Sequence, residues 1–529
     1  MAAVNYKVLI PAASASRHLG DLVKYTNHSL IRIGKKPTLS YIIEAYPKDI
    51  TIVIAIGYFG EQIKDFVKLA YPDRRFEFVE VDKYEGPGSS LGYSMLKAKD
   101  KLQCPFIYHA GDTIVNDEIP KPDTNWIAGF QSDNTANYAS LNIVGEKVIH
   151  INDKGSTDYG YIHSVHIGLV GINDYVKFWT TLENLYSQDK NSRTLGDMGV
   201  INEMLGNQSV FHFKPFNSWF DVGNIDAINQ VRKKIHDPFF ILDKLAESIF
   251  IFDNFVIKFF HNKQDVEDRV ARAKILKAVI PEIEGVQGNF YRYKYVDGRL
   301  LSRVITPPEI SKFFKWAEKN LWIDSNNKLS SEEFKTKCYD FYYNKSLERI
   351  QQMIQSANIE DKQDIINGEE VPSIKEMFEQ LDFDWLTDGK YSNFHGDFVL
   401  DNILKTDKGY CLLDWRQNFG GLLDGGDKYY DLSKFNHNLV VNHDVINNNL
   451  FTIDIDELGK VNCDIMRRHN LVVCQETFHR WLEDNDYDLK KVKALTALIW
   501  LNMSPLHHHP LNLFLYYFGK LNLWRSLKK

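Results

Sequence analysis

The chain has 529 residues, 44% of them hydrophobic and 25% charged, with a net charge of −7. That is enough chain for two or three domains with full cores, in the composition of an ordinary globular protein. The acidic balance excludes a broad basic field for nucleic acid or an anionic membrane. Five cysteines, Cys104, Cys338, Cys411, Cys463 and Cys474, are scattered without paired metal-ligand spacing. They suit a reducing, cytoplasmic setting. The opening residues run straight into a strand and do not read as a signal peptide. The longest apolar runs, 494–501 and 513–518, are too short to cross a bilayer.

Val8-Leu9-Ile10 is an all-apolar strand of the kind buried on both faces of a parallel sheet. It empties into Pro11-Ala12-Ala13-Ser14-Ala15-Ser16-Arg17. Small side chains there let backbone N–H groups approach a phosphate, and Arg17 can neutralise it. An amphipathic segment over 38–46, a second buried strand over 51–56, a helix over 61–69 and a third strand over 76–81 follow. Strands alternating with helices predict a doubly wound sheet, with ligands at the carboxyl ends of its strands. Three further stretches belong at such a site. Glu85-Gly86-Pro87-Gly88-Ser89-Ser90 opens a helix whose free N–H groups suit a base or phosphate. Phe106-Ile107-Tyr108-His109-Ala110-Gly111-Asp112 and Ser218-Trp219-Phe220-Asp221 are strands ending in carboxylates. Two such carboxylates brought together can hold magnesium with the phosphates of a nucleotide.

Residues 6–232 resemble the sugar-1-phosphate nucleotidyltransferases. The resemblance implies a Rossmann-like mixed or parallel sheet in a domain over 1–235. It implies a nucleotide held by Ala13, Ser14, Ser16, Gly88 and Ser89, catalytic help from Arg17, and magnesium on Asp112 and Asp221. Thr157-Asp158-Tyr159-Gly160 resembles the lining of the sugar pocket, so Gly160 and the nearby Lys154 are expected at the substrate. Two departures stand out. Ser14 and Ser16 occupy positions where the family has glycines. The lysine the family places before a Leu-Ile-Arg-Ile strand is replaced by Asn27-His28-Ser29. His28 can substitute only when protonated; Lys24 and Lys154 are other candidate cations.

Residues 225–245 read as a helix, an Asp237-Pro238 break and a further helical piece, which places a domain boundary near 236 with no flexible linker. Two apolar strands then flank Asp253-Asn254, a hairpin turn. Lys258 sits inside the second strand. Tyr291-Arg292-Tyr293-Lys294-Tyr295 alternates as a strand. Farther on stands Asn393-Phe394-His395-Gly396-Asp397-Phe398-Val399-Leu400-Asp401-Asn402, followed by Cys411-Leu412-Leu413-Asp414-Trp415. A carboxylate, a carboxamide on the same loop and a second carboxylate after a strand form the set that phosphoryl transfer needs. One orients an attacking hydroxyl and takes its proton, while the other two hold magnesium.

That spacing, with His395-Gly396 in front, resembles the aminoglycoside phosphotransferase and choline kinase-like family. The resemblance implies a bilobal α+β kinase-like domain over 236–529, with a small lobe over about 246–305 and a large helical lobe over about 306–529. It makes Asp397 the catalytic base and puts Asn402 and Asp414 on magnesium. Lys258 would touch the phosphates of ATP, with Glu267 as its partner. Asp427 and Asp431 would buttress the loop, and a helical tail over 456–527 would carry the acceptor lobe.

The two resemblances together imply consecutive steps on small molecules, with Mg2+ at both sites and with ATP and a second NTP as substrates. A sugar or sugar-like alcohol is phosphorylated and then joined to a nucleotide for surface glycan synthesis. Choline, a polyol or a phosphonate is the alternative acceptor. A further alternative is an active kinase carrying a nucleotide-binding module that has lost its chemistry. Neither nucleic acid nor membrane is an expected partner; the oligomeric state is left open.

Overall fold

In the computed structural model, which describes residues 6–156, 163–235, 244–323 and 329–528, Lys7–Ala12 is a buried central strand. Val8 and Ile10 point into one core and Leu9 into another, so the uninterrupted apolar run is satisfied on both faces of a sheet. That sheet has nine strands. Its order is Phe76–Glu80, Thr51–Ile56, Lys7–Ala12, Phe106–His109, Ser164–Ile172, Trp126–Gln131, Phe211–Phe216, Lys147–Asn152, Ser140–Val144. The first four are parallel. Ser164–Ile172 runs antiparallel to both of its neighbours, making the sheet mixed. Helices Thr38–Glu44 and Gly60–Ala70 bury Ile42, Ile43, Ile63 and Phe66 on one face. Leu91–Ala98, Tyr175–Gln188 and Asp197–Gly206 bury Met95, Trp179 and Val200 on the other. The two winding directions part between Lys7–Ala12 and Phe106–His109, the position at which doubly wound sheets bind ligands.

The chain divides into two compact units, Met1–Lys263 with Glu284–Tyr293, and Gln264–Ile283 with Lys294–Lys529. This division does not follow the boundary expected near residue 236. The strands Glu247–Ile251, Phe255–Phe260, Phe290–Lys294 and Ile283–Gln287 form their own sheet. Phe250, Ile257, Phe259 and Phe290 join the core of the first unit, with the Phe250 and Phe66 rings 5.4 Å apart. Aromatic side chains that need burial find it there, which ties these strands to the first unit. The helical piece expected after Asp237-Pro238 lies outside the described residues.

The second unit is mainly helical, with Pro307–Asn320, Lys345–Ala357, Lys428–Val440, His469–Asp484, Leu489–Met503 and Leu511–Leu527 as its longer helices. Phe314 stacks on Phe478 at 4.8 Å and meets Phe435 edge-on at 4.8 Å. The segment after Asp456 departs from the expected helical tail. Phe451–Ile455 pairs antiparallel with Val461–Ile465, completing a four-stranded sheet with Asp364–Ile366 and Glu369–Val371. Val461 and Cys463 are buried while Asn462 and Asp464 are exposed, a two-residue alternation that suits a strand. Among the described residues, no helix is long and apolar enough to cross a membrane.

Candidate functional site

In the first unit, Asp112 and Asp221 meet. Trp219–Asp221 pairs antiparallel with Thr113–Val115, placing Asp221 opposite Thr113, and the Val222 N–H donates to the Asp112 carbonyl at 2.9 Å. The two carboxylates flank Gly223. A Cβ there would lie 2.8 Å from Asp112 Oδ2 and 3.0 Å from Asp221 Oδ1. Asp221 is oriented by two donors, the Gly223 N–H to Oδ1 and the Tyr138 hydroxyl to Oδ2, both at 2.8 Å. Burial, and then the charge of Asp221, push the Asp112 carboxyl up to about 6; Lys154 and His18 act against the rise. A divalent cation held with nucleotide phosphates would relieve this repulsion, so the pair fits magnesium.

The loop after the first strand is shaped by its small residues. The Tyr58 N–H donates to the Ala13 carbonyl at 2.9 Å, and the Ser16 N–H to Ser14 Oγ at 3.1 Å. Ser16 has φ 46°, a left-handed conformation that glycine adopts more readily. Buried Asn27 donates to the Ala12 and Tyr58 carbonyls at 2.9 and 2.6 Å, holding the loop where the sequence reading missed a lysine. Burial pushes the His28 imidazole down to about 4, so it is neutral near pH 7 and supplies no substitute cation. Arg17 pairs with Glu85 at 2.8 Å and leaves 66% of its side chain exposed. Gly88 has φ 81°, and a Cβ on it would lie 2.8 Å from the Lys190 carbonyl oxygen. The Ser89 hydroxyl donates to the Gly86 carbonyl at 2.6 Å. Lys154 occupies an exposed turn; Gly160 lies outside the described residues. Tyr138 escaped the sequence reading, as did Asp197, whose Oδ2 lies 2.8 Å from Nε2 of buried His166. Each is an isolated polar residue without a local motif.

In the second unit, Asn402 Nδ2 donates to Asp397 Oδ2 and to the Asp397 carbonyl, both at 3.0 Å. Its amide oxygen is thereby aimed away from Asp397, as a magnesium ligand would need. The Leu413 N–H donates to the Asn402 carbonyl at 2.7 Å, which fastens the strand leading to Asp414 onto this loop. His395 accepts from the Asp397 N–H at 3.3 Å and faces the Leu413 carbonyl at 2.8 Å. Burial pushes its imidazole down to about 4, against the charges of Asp397 and Asp414. Beneath, buried Asp431 accepts from the N–H groups of His395 and Gly396 at 2.7 and 2.6 Å and from Trp322 Nε1 at 3.0 Å. Two cations were missed by the sequence reading. Lys434 pairs with Asp397 Oδ1 at 2.8 Å, and Arg269 pairs with Asp414 Oδ1 at 3.0 Å.

Lys258 is buried in Phe255–Phe260, its ammonium 5.4 Å from the Phe260 ring centre. Glu267 is an exposed residue of the helix Lys263–Leu276. Among the described residues, no group of three or more His, Cys, Asp or Glu side chains could hold a metal unaided. Either set, Asp112 with Asp221 or Asn402 with Asp414, would therefore need water or phosphate oxygens to complete a coordination sphere.

No family model matches this chain, and no curated protein matches it. Among solved structures it is similar to CTP:phosphocholine cytidylyltransferase from Streptococcus pneumoniae, at 18% identity and TM-score 0.37, over 44% of this chain and 100% of that one. It is similar also to an inositol-1-phosphate CTP transferase from T. maritima, at 13% identity and TM-score 0.36, over 44% of this chain and 96% of that one. UDP-glucose pyrophosphorylase from Acinetobacter baumannii is a third, at 13% identity and TM-score 0.36, over 43% and 92%.

Proposed function

We propose that the chain is a bifunctional enzyme of small-molecule activation, with phosphotransfer in the second unit and nucleotidyl transfer in the first. The observation that carries the reading is the pairing of Asp397 with Asn402 in one unit and of Asp112 with Asp221 in the other. In the phosphotransfer step an acceptor hydroxyl attacks the γ-phosphorus of ATP, ADP leaves, and Asp397 orients the hydroxyl and receives its proton. Asn402 and Asp414 would hold magnesium. In the nucleotidyl step an oxygen of the new phosphate ester attacks the α-phosphorus of a second NTP and pyrophosphate leaves. Asp112 and Asp221 would hold the metal, which offsets charge on the triphosphate. The product class is an activated nucleotide derivative of a sugar-like alcohol, of use in glycan assembly.

A second reading keeps the phosphotransfer and makes the first unit a nucleotide-binding module without chemistry. The neutral state of His28 favours it, because the imidazole then offers no cation to the triphosphate. The readings part on one assay. Full-length protein is incubated with each NTP and a panel of sugar phosphates, polyol phosphates and phosphocholine, and pyrophosphate is measured. Release with one acceptor class supports the bifunctional enzyme. None with any acceptor, while ADP forms from ATP and an alcohol, supports the module.

A further inference from the structure

A cavity of about 170 Å3 lies in the second unit, and four cations line it: Lys345, Arg349, Arg416 and Lys434, the last of which pairs with Asp397. Lys345 and Arg349 stand one turn apart on the helix Lys345–Ala357. Arg416 follows Asp414-Trp415, and Lys434 belongs to Lys428–Val440. Phe341 forms one wall, its ring centre 4.0 Å from the Lys345 ammonium and 5.1 Å from the Arg416 guanidinium. Among the described residues, Asp397 is the one carboxylate ion-paired with the group, through Lys434. Glu348 opposes the shift of Lys345, ranking after burial and the three neighbouring cations. Burial, then Arg416, Arg349 and Lys434, push the Lys345 ammonium well below the ordinary lysine value. Asn502 lines the same cavity, and its Oδ1 is buried without a hydrogen-bond partner.

So many like charges around a small, half-buried space are mutually repulsive, and an anion placed among them converts that repulsion into attraction. A cavity of about 150 Å3 accepts benzene, so this one suits a molecule of similarly few atoms. Asn502 Oδ1 can accept from a hydroxyl. We infer that the cavity is the acceptor pocket of the second unit and binds a small alcohol bearing a carboxylate or a phosphate. This rests on the phosphotransfer reading of Asp397. The acceptor oxygen forms the new O–P bond, the bond between the β,γ-bridging oxygen and the γ-phosphorus breaks to release ADP, and the hydroxyl proton passes to Asp397. The anionic end is held by Lys345, Arg349 and Arg416. A quaternary or polyamine acceptor would meet like charge and be rejected.

The test uses the full chain in calorimetry with D-glycerate and glycerol 3-phosphate as probes, and with glycerol and choline as controls, alongside ADP formation from ATP. Binding of D-glycerate with the phosphate probe silent assigns a carboxylate; the reverse assigns a phosphate. Lys345→Met and Arg349→Gln should each weaken the binding tenfold or more, and Arg349→Lys should retain most of it. Asp397→Asn should bind the probe and form no ADP. Anion binding that depends on Lys345 and Arg349, without ADP formation by the wild type, would sustain the pocket and remove the phosphotransfer reading. Binding of choline or glycerol in preference to both anions, or anion affinity unchanged in the Lys345 and Arg349 variants, would overturn the inference.

Discussion

Lys434 and Asp397 form an ion pair of 2.8 Å, joining the middle of a helix to the loop that carries Asn402. Burial lowers the lysine's proton affinity, but Asp397 together with Tyr430 outweighs it and the ammonium ends above its ordinary value. Asp397 is thus fixed from two sides, by Lys434 at Oδ1 and by Asn402 at Oδ2. A carboxylate so oriented is prepared to accept a proton in one direction.

The first prediction concerns Gly223. An added methyl would sit 2.8 Å from Asp112 Oδ2 and 3.0 Å from Asp221 Oδ1. Gly223→Ala should push the carboxylates apart. Misplacement on the order of 1 Å lowers turnover about 100-fold. Pyrophosphate release should fall by that order while ADP formation is unchanged.

The second concerns Asp431. Three buried donors, the N–H groups of His395 and Gly396 and Trp322 Nε1, converge on its carboxylate. Asp431→Ala leaves all three without an acceptor, which should destabilise the unit by about 3 kcal/mol or more. A urea titration followed by circular dichroism measures the loss, and ADP formation should fall with it because the Asp397 loop loses its anchor.

The third concerns pH. His109 is fully buried, with Nδ1 facing the Tyr46 hydroxyl at 2.7 Å and Nε2 the Thr113 carbonyl at 2.9 Å. Burial pushes it down from 6.5 to about 4. The unfolded chain therefore binds a proton that the folded chain refuses between those values, and stability rises with pH across them. Present in full above pH 6.5, this contribution is lost as the pH falls toward 4. His109→Gln should flatten that part of the profile in urea titrations between pH 4.5 and 7.5.

Much of this was readable from the residues because it is local. Asp397 and Asn402 share one loop, and the carboxylate at the end of each strand is announced by the apolar run before it. Lys434 and Arg269 are not local. Each is one cation among many on a helix, and only packing brings it to a carboxylate. Tyr138 reaches Asp221 from a distant part of the chain for the same reason. The hairpin over 451–465 escaped because its strands are short and half polar, so the helices around it dominated the pattern. The strands around Lys258 were legible as strands, but sequence alone does not say which core will bury Phe250 and Phe290.

The most direct measurement follows ADP formation and pyrophosphate release in parallel for the wild type, Asp397→Asn and Asp221→Asn, with acceptor alcohols and phosphate esters supplied separately. The expected result is a crossover. Asp397→Asn loses ADP formation at least 100-fold and keeps pyrophosphate release from a supplied ester, while Asp221→Asn does the reverse. Loss of both activities in either variant, or of neither in both, would contradict two separate sites each serving its own transfer.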